Sequence, residues 1–133
     1  MTTEVRIAHL IRLAALSKTL TEINLAARAL HYHGDAGISA LVAFLTNPAS
    51  GWLEIIHVLA VLDSMCVMSR TPIAGALERI LLTRSEDELH RAVLPMIIAH
   101  KNEGREDSFL AVEAYKQRGG ERAAQLVAVL EKN

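Results

Sequence analysis

The apolar residues of this chain recur with helical spacing almost from end to end. Between about Thr3 and Leu16, Val5, Ile7, Leu10, Ile11, Leu13 and Ala14 form a broad apolar face on a period near that of an α-helix. Thr19 followed by Glu22 has the form of a capping box and predicts a second helix to about His33, with Ile23, Ala26, Ala27 and Leu30 turned inward. Gly34 ends that helix, and Asp35 is placed to cap a third over about Ala36 to Thr46, with Ile38, Leu41, Phe44 and Leu45 on one side. Asn47-Pro48 stops it, because the residue before a proline resists the helical region.

The next stretch is of another kind. From Trp52 to Val67 the chain is apolar on nearly every side, broken only by Glu54, His57, Asp63 and Ser64. A helix apolar all round is normally buried. Its longest uninterrupted apolar piece, Val58 to Leu62, is far too short to cross a bilayer. The pattern predicts a central helix over about 52–67, capped near Ser50, with amphipathic helices packed around it. Ser69 to Pro72 is a break, with Pro72 suited to a first helical turn. Ile73, Ala76, Leu77, Ile80 and Leu81 then show the cleanest amphipathic spacing in the chain. Ser85-Glu86-Asp87-Glu88 opens a sixth helix with acids at the positive end of its dipole, and Pro95 interrupts it. A charged turn from Lys101 to Asp107 leads to a helix over Phe109–Arg118. Gly119-Gly120 breaks the chain before a short last helix carrying Ala124, Val127, Val129 and Leu130. The expected fold is therefore all-α: one domain spanning 1–133, a compact helical bundle around a central hydrophobic helix.

A shift of 36 residues lays Ala40, Leu41, Leu45 and Leu53 on Ala76, Leu77, Leu81 and Leu89, as stacked helical hairpins would require. The first and last hairpins need different shifts, so a hairpin-repeat adaptor or chaperone that binds a protein segment stands as the alternative reading.

Composition narrows the function classes. The 133 residues are 51% hydrophobic and 22% charged, which excludes a disordered chain. Fourteen Lys and Arg against fifteen Asp and Glu leave no basic field for nucleic acid. Cys66 is alone, so neither an internal disulfide nor a cysteine-rich metal site can form, and a reducing compartment is expected. An acid precedes any apolar run at the start and the last residues are short and charged, so neither a signal peptide nor a tail anchor is expected. The expected location is the cytoplasm.

Candidate chemistry is sparse. Glu54-x-x-His57 and Asp87-x-x-His90 each place an acid and a histidine on one helical face, in the manner of carboxylate-bridged di-metal bundles. Such sites need further inward carboxylates, and the other helices offer mainly Ala, Leu and Ile. The plainer reading is a satisfied polar pair and a first-turn acid. His31 and His33 point in different directions on a helix. Cys66 reads as an inert core thiol. There is no glycine-rich phosphate loop. No enzyme, metal or cofactor is expected, and a metal-dependent enzyme using the two acid–histidine pairs is the weakest of three function classes.

The central stretch also carries a resemblance. An amphipathic helix with Ile38, Leu41, Val42 and Leu45, a short break, then Trp52 leading through Ile55-Ile56 into an apolar helix ending Met65-Cys66-Val67, resembles the BH-one region of the Bcl-two family of apoptosis regulators. Leu30-x-x-x-Gly34-Asp35 in the preceding helix is similar to the core of that family's BH-three motif. Asn102-Glu103-Gly104 through Phe109 and Tyr115 loosely resembles its BH-two region. The chain departs from the family around the tryptophan, where Gly51, Leu53 and Glu54 stand in place of Asn, Gly and Arg. The family arginine pairs with an aspartate of the bound helix, and Glu54 would repel it. The family's tail anchor and long first loop are also missing, an economy closer to viral homologues.

The resemblance implies an inhibitor of apoptosis, acting in a host-cell cytoplasm or beside mitochondria through its partners. It would bind the amphipathic BH-three helix of pro-apoptotic proteins in a hydrophobic groove. Carried over residue by residue, the groove would comprise Ala26, Leu30, Leu41, Phe44, Leu45, Trp52, Ile55 and Val58, with Glu54 at its rim. A homodimer is a further expectation, since an unfilled groove can be covered by a second copy.

Overall fold

Thr19 caps the second helix as its spacing to Glu22 predicts. Its Oγ1 accepts from the Glu22 amide at 3.2 Å, and the Glu22 carboxylate accepts from the Thr19 amide at 3.1 Å. Such local signals set most boundaries in the computed structural model, which describes residues 2–132. Among these residues the regular structure is helical throughout: α1 Thr3–Leu16, α2 Leu20–Tyr32, α3 Gly34–Thr46, α4 Trp52–Ser64, α5 Thr71–Thr83, α6 Asp87–Asn102 and α7 Glu106–Glu131. The chain divides into two compact units, the first ending at Ile73 and the second beginning at Ala74.

In the first unit α4 packs against α1, α2 and α3, and α1 and α2 both reach α3. Helices distant in sequence therefore touch, which a linear stack of hairpins does not provide. The expected central helix is α4. Its Ile55, Val58, Val61 and Leu62 are 0% exposed, and Leu59 is buried with them. Burying four such side chains fully is worth about 1.5–3 kcal/mol each, which makes α4 the chief source of cohesion in this unit. Its one inward polar group is satisfied: His57 Nδ1 lies 2.8 Å from the Ala15 carbonyl. A carbonyl only accepts, so Nδ1 carries the hydrogen.

Three boundaries differ from expectation. Asp35 does not cap α3: the helix already begins at Gly34, so Asp35 lies inside its first turn, and His33 precedes the helix with no side-chain cap. The central helix stops at Ser64 rather than Val67. Cys66 takes a φ of 60°, which an L-residue cannot sustain in a right-handed helix, and its amide bonds the Asp63 carbonyl at 3.0 Å. Met65 and Val67 stay buried while Cys66 faces solvent, so the thiol is exposed and not a core group. Ser50 does not cap α4. Its Oγ donates backward to the Phe44 carbonyl of α3 at 2.7 Å, and Gly51 is the residue that precedes α4.

The second unit holds α5 from Ala74 onward, α6 and α7. Leu77, Leu89, Val93, Leu94, Ile97 and Val112 are fully buried. α6 runs through Pro95 unbroken, with the proline exposed. Pro95 removes only the hydrogen bond that would have gone to Arg91, on a face where water can replace it. α7 is bent at Gly120, whose φ of 66° and ψ of −149° are not helical. Its first arm runs antiparallel to α6, with Lys101 over the Phe109 ring and Tyr115 against His90. Its second arm runs parallel to α6, with Arg122 paired to Asp87 and Glu131 to Lys101. The expected glycine break is thus a reversal that sets two arms against one helix.

The link between α5 and α6 carries a bidentate pair: Arg84 Nε and Nη2 donate to the two Glu86 oxygens at 3.0 and 2.6 Å. That pair holds the Glu86 carboxyl at about 2, down from 4.5. A depressed carboxylate contributes stability that is present above its unfolded pKa and lost as pH falls through the folded one. The melting temperature should therefore fall as pH drops from about 4.5 towards 2. In Glu86→Gln that part of the acid slope should flatten, and the difference from wild type should shrink towards the acid end of a thermal-melt series.

Candidate functional site

Leu10 and Leu13 of α1 and Leu25 of α2 line an apolar hollow in the first unit. α1 and α2 are joined through Ser17, Lys18 and Thr19, a link short enough to make them antiparallel neighbours. Ser17 is 2% exposed and its Oγ donates to the Ala14 carbonyl at 2.7 Å, which pins the turn. Leu10 and Leu13 form one wall of a groove of about 350 Å³, and Leu25 with Ala26 and Ala29 forms the other. The alanines are small, so the groove is deep between leucine walls. Leu13 is 48% exposed and Leu25 60%, and Leu16 and Leu20 extend the apolar surface towards the turn. Contiguous uncovered leucines on a folded surface mark an interaction site more often than isolated ones do.

The charges in and near the groove are unlike. Glu22 lines one end, where it accepts from the amides of Lys18 and Thr19 and from Thr19 Oγ1. The hydrogen bond from the Thr19 side chain, then that from the Lys18 backbone, lowers its pKa, so it stays ionised. Towards the start of α1, beyond the residues that line the groove, Arg6 shares the face of Leu10 and Leu13, being four and seven residues before them, and it is exposed.

The residues expected to form a groove are placed differently. Leu30, Leu41, Ile55 and Val58 are 0% exposed, Leu45 is 1% exposed, and Phe44 is half-buried. The five aliphatic side chains are core, so in this conformation they offer no surface to a partner, and Phe44 offers only part of its ring. Ala26 alone of the set lies in the open groove. Trp52 and Glu54 are exposed at the start of α4 beside an exposed Leu53. The Leu30-x-x-x-Gly34-Asp35 string straddles a junction between helices: Gly34 takes a φ of 57° at the start of α3, and Asp35 pairs with Arg70 at 3.0 Å. In the BH-two-like segment, Asn102 closes α6, Gly104 turns the chain, Phe109 is exposed and Tyr115 is buried.

Among the described residues no three histidine, cysteine or acidic side chains gather as a metal site would require. The two acid–histidine pairs are occupied otherwise. His57 bonds the Ala15 carbonyl, His90 Nε2 bonds the Arg84 carbonyl at 2.6 Å, and Asp87 pairs with Arg122. Nor is any helix among those described long and apolar enough to cross a membrane.

The uncovered wall was visible in the sequence only as an excess. Leu20 and Leu25 fall outside the inward set Ile23, Ala26, Ala27 and Leu30, and two leucines off the buried stripe of a short helix are the signal of a second apolar face. No family model, curated protein or solved structure matches this chain.

Proposed function

We propose that this protein is a non-enzymatic binding module that takes an amphipathic helix of a partner protein into the α1/α2 groove. The observation that carries this reading is the set of leucines beside small alanines: a trough whose lining is apolar but for Glu22. A guest helix with apolar residues at i, i+3 or i+4, and i+7 fills such a trough one turn at a time. Charge selects among guests. Residues 3–32 carry Arg6, Arg12, Lys18 and Arg28 against Glu4 and Glu22, a surplus of positive charge. The favoured guest therefore bears an acidic residue beside its apolar stripe, lying towards Arg6. A pro-apoptotic BH-three helix, the partner implied by the resemblance, has this character. Apoptosis inhibition is the narrower form of the proposal, with Arg6 in the role that Glu54 cannot fill.

Fluorescence titration with labelled helical peptides tests both forms. Leu25 is exposed, so Leu25→Glu should leave the melting temperature within a degree or two while weakening peptide binding at least tenfold, roughly the loss of one buried leucine. Arg6→Glu should weaken acid-bearing peptides and spare their amide analogues. If Leu25→Glu binds as wild type while Glu54→Arg changes the profile, the site lies at the Trp52 edge and the groove assignment fails. If acid-bearing amphipathic peptides bind but no BH-three peptide does, helix capture stands and the apoptotic form falls.

A further inference from the structure

The second unit holds a larger hollow, a cleft of about 400 Å³ between α6 and the two arms of α7. It is independent of the α1/α2 groove, and its floor is polar. His90 and Tyr115 meet edge to face at 5.1 Å, with the Tyr115 hydroxyl 3.3 Å from His90 Nδ1. His90 Nε2 must carry a hydrogen, because its 2.6 Å partner is the Arg84 carbonyl. In the neutral ring Nδ1 is then an acceptor, and the Tyr115 hydroxyl donates to it. That bond is long, so the hydroxyl can turn to a better acceptor entering the cleft. Burial raises the Tyr115 pKa, which keeps the phenol protonated and able to donate.

The walls divide by chemistry. Leu126 and Val129 of the second α7 arm give an apolar side. Arg91 and Arg122 stand at the mouth with Asp87 as the one acid of the lining. Arg122 and Asp87 have side chains 75% and 49% exposed, and an exposed pair of this kind is worth about 0–1 kcal/mol, so an incoming anion can recruit Arg122 cheaply. Arg91 is exposed and forms no ion pair among the described residues.

We propose that this cleft is a binding site for a small amphiphilic anion: a carboxylate or phosphate monoester held by Arg91 and Arg122, with an aromatic or alkyl body lying on Leu126 and Val129 and the Tyr115 hydroxyl donating to one of its oxygens. The volume suits such a ligand, since small-molecule clefts of about 300–1,000 Å³ take drug-sized guests. Arg rather than Lys at the mouth provides the planar fork that matches a carboxylate or phosphate.

The test is an NMR titration of the full-length protein with benzoate and with phenyl phosphate, set against neutral benzyl alcohol. Saturable shifts are expected at the His90 ring, Tyr115 and the Gln125 side-chain amide, with benzyl alcohol at least tenfold weaker. Arg91→Gln, an exposed change that leaves the fold intact, should weaken both anions about tenfold and leave benzyl alcohol unaffected. The stronger of the two anions identifies the headgroup. Absence of saturable shifts at His90 and Tyr115 for both anions overturns the proposal, as does equal binding by Arg91→Gln.

Discussion

Glu78→Ala should lower the free energy of unfolding by about 3 kcal/mol. The Glu78 carboxylate, 12% exposed, accepts from Arg105 Nε at 3.2 Å and from Ser108 Oγ at 2.9 Å. It thereby ties α5 to the start of α7. Ser108 is 0% exposed, so removing its acceptor strands a hydroxyl out of reach of water. Arg105, with a side chain 23% exposed, keeps only Asp107 at 3.7 Å, whose own side chain is 73% exposed and a weak substitute. The cost comes mainly from the partners left behind, so the loss should be partly recovered in Glu78→Ala/Ser108→Ala, where no hydroxyl is stranded. Glu78→Gln keeps an acceptor oxygen and should cost about 1 kcal/mol. Urea denaturation of wild type, Glu78→Ala, Ser108→Ala and the double variant gives the coupling between Glu78 and Ser108 directly. Additive losses would show that Glu78 acts through Arg105 alone.

Much of this architecture could be read along the chain because its signals are local. A capping box is complete within four residues, and Thr19 with Glu22 forms it. Asn47-Pro48 ends α3 through a steric rule between neighbours. The all-round apolar stretch from Trp52 announced a helix surrounded by others, and α4 has three helices packed on it. What could not be read depends on which of two apolar surfaces meets which. Leu30, Leu41, Ile55 and Val58 suit a groove wall and a core equally well, because both need the same side chains. Only the packing of α4 against α1, α2 and α3 consigns them to the core, while Leu13 and Leu25 remain uncovered.

Polar partners far apart in sequence were equally hidden. Ser50 looked like a cap for the helix after it, yet it bonds the helix before it. His57 and His90 stood beside acids in sequence, but their partners are the Ala15 and Arg84 carbonyls and, for His90, the Tyr115 hydroxyl twenty-five residues on. An acid–histidine spacing on one helix cannot distinguish a metal ligand from a ring turned towards a neighbouring backbone, because the deciding group lies on another element.

The glycine pair in α7 is where a single methyl group should do harm in two different ways. Gly120→Ala is expected to cost about 2–3 kcal/mol, because φ near 66° with ψ near −149° lies in a region open essentially to glycine alone. No neighbour lies within 4 Å of a β-carbon built there, so the cost is backbone strain rather than crowding. Gly119→Ala fails for the other reason: its β-carbon would sit 2.4 Å from that of Ala123, a short group that cannot swing aside. Ala123→Gly should therefore rescue Gly119→Ala and leave Gly120→Ala unimproved, and thermal melts of the single and double variants separate the two mechanisms. The reversal at Gly120 is what returns Arg122 to Asp87 and lays Leu126 and Val129 along α6. Residual folded Gly120→Ala should consequently lose benzoate and phenyl phosphate binding together, while binding of helical peptides to the α1/α2 groove is retained. Loss of both activities in parallel, at a temperature where circular dichroism shows the protein folded, would mean that the two units do not respond independently to this change.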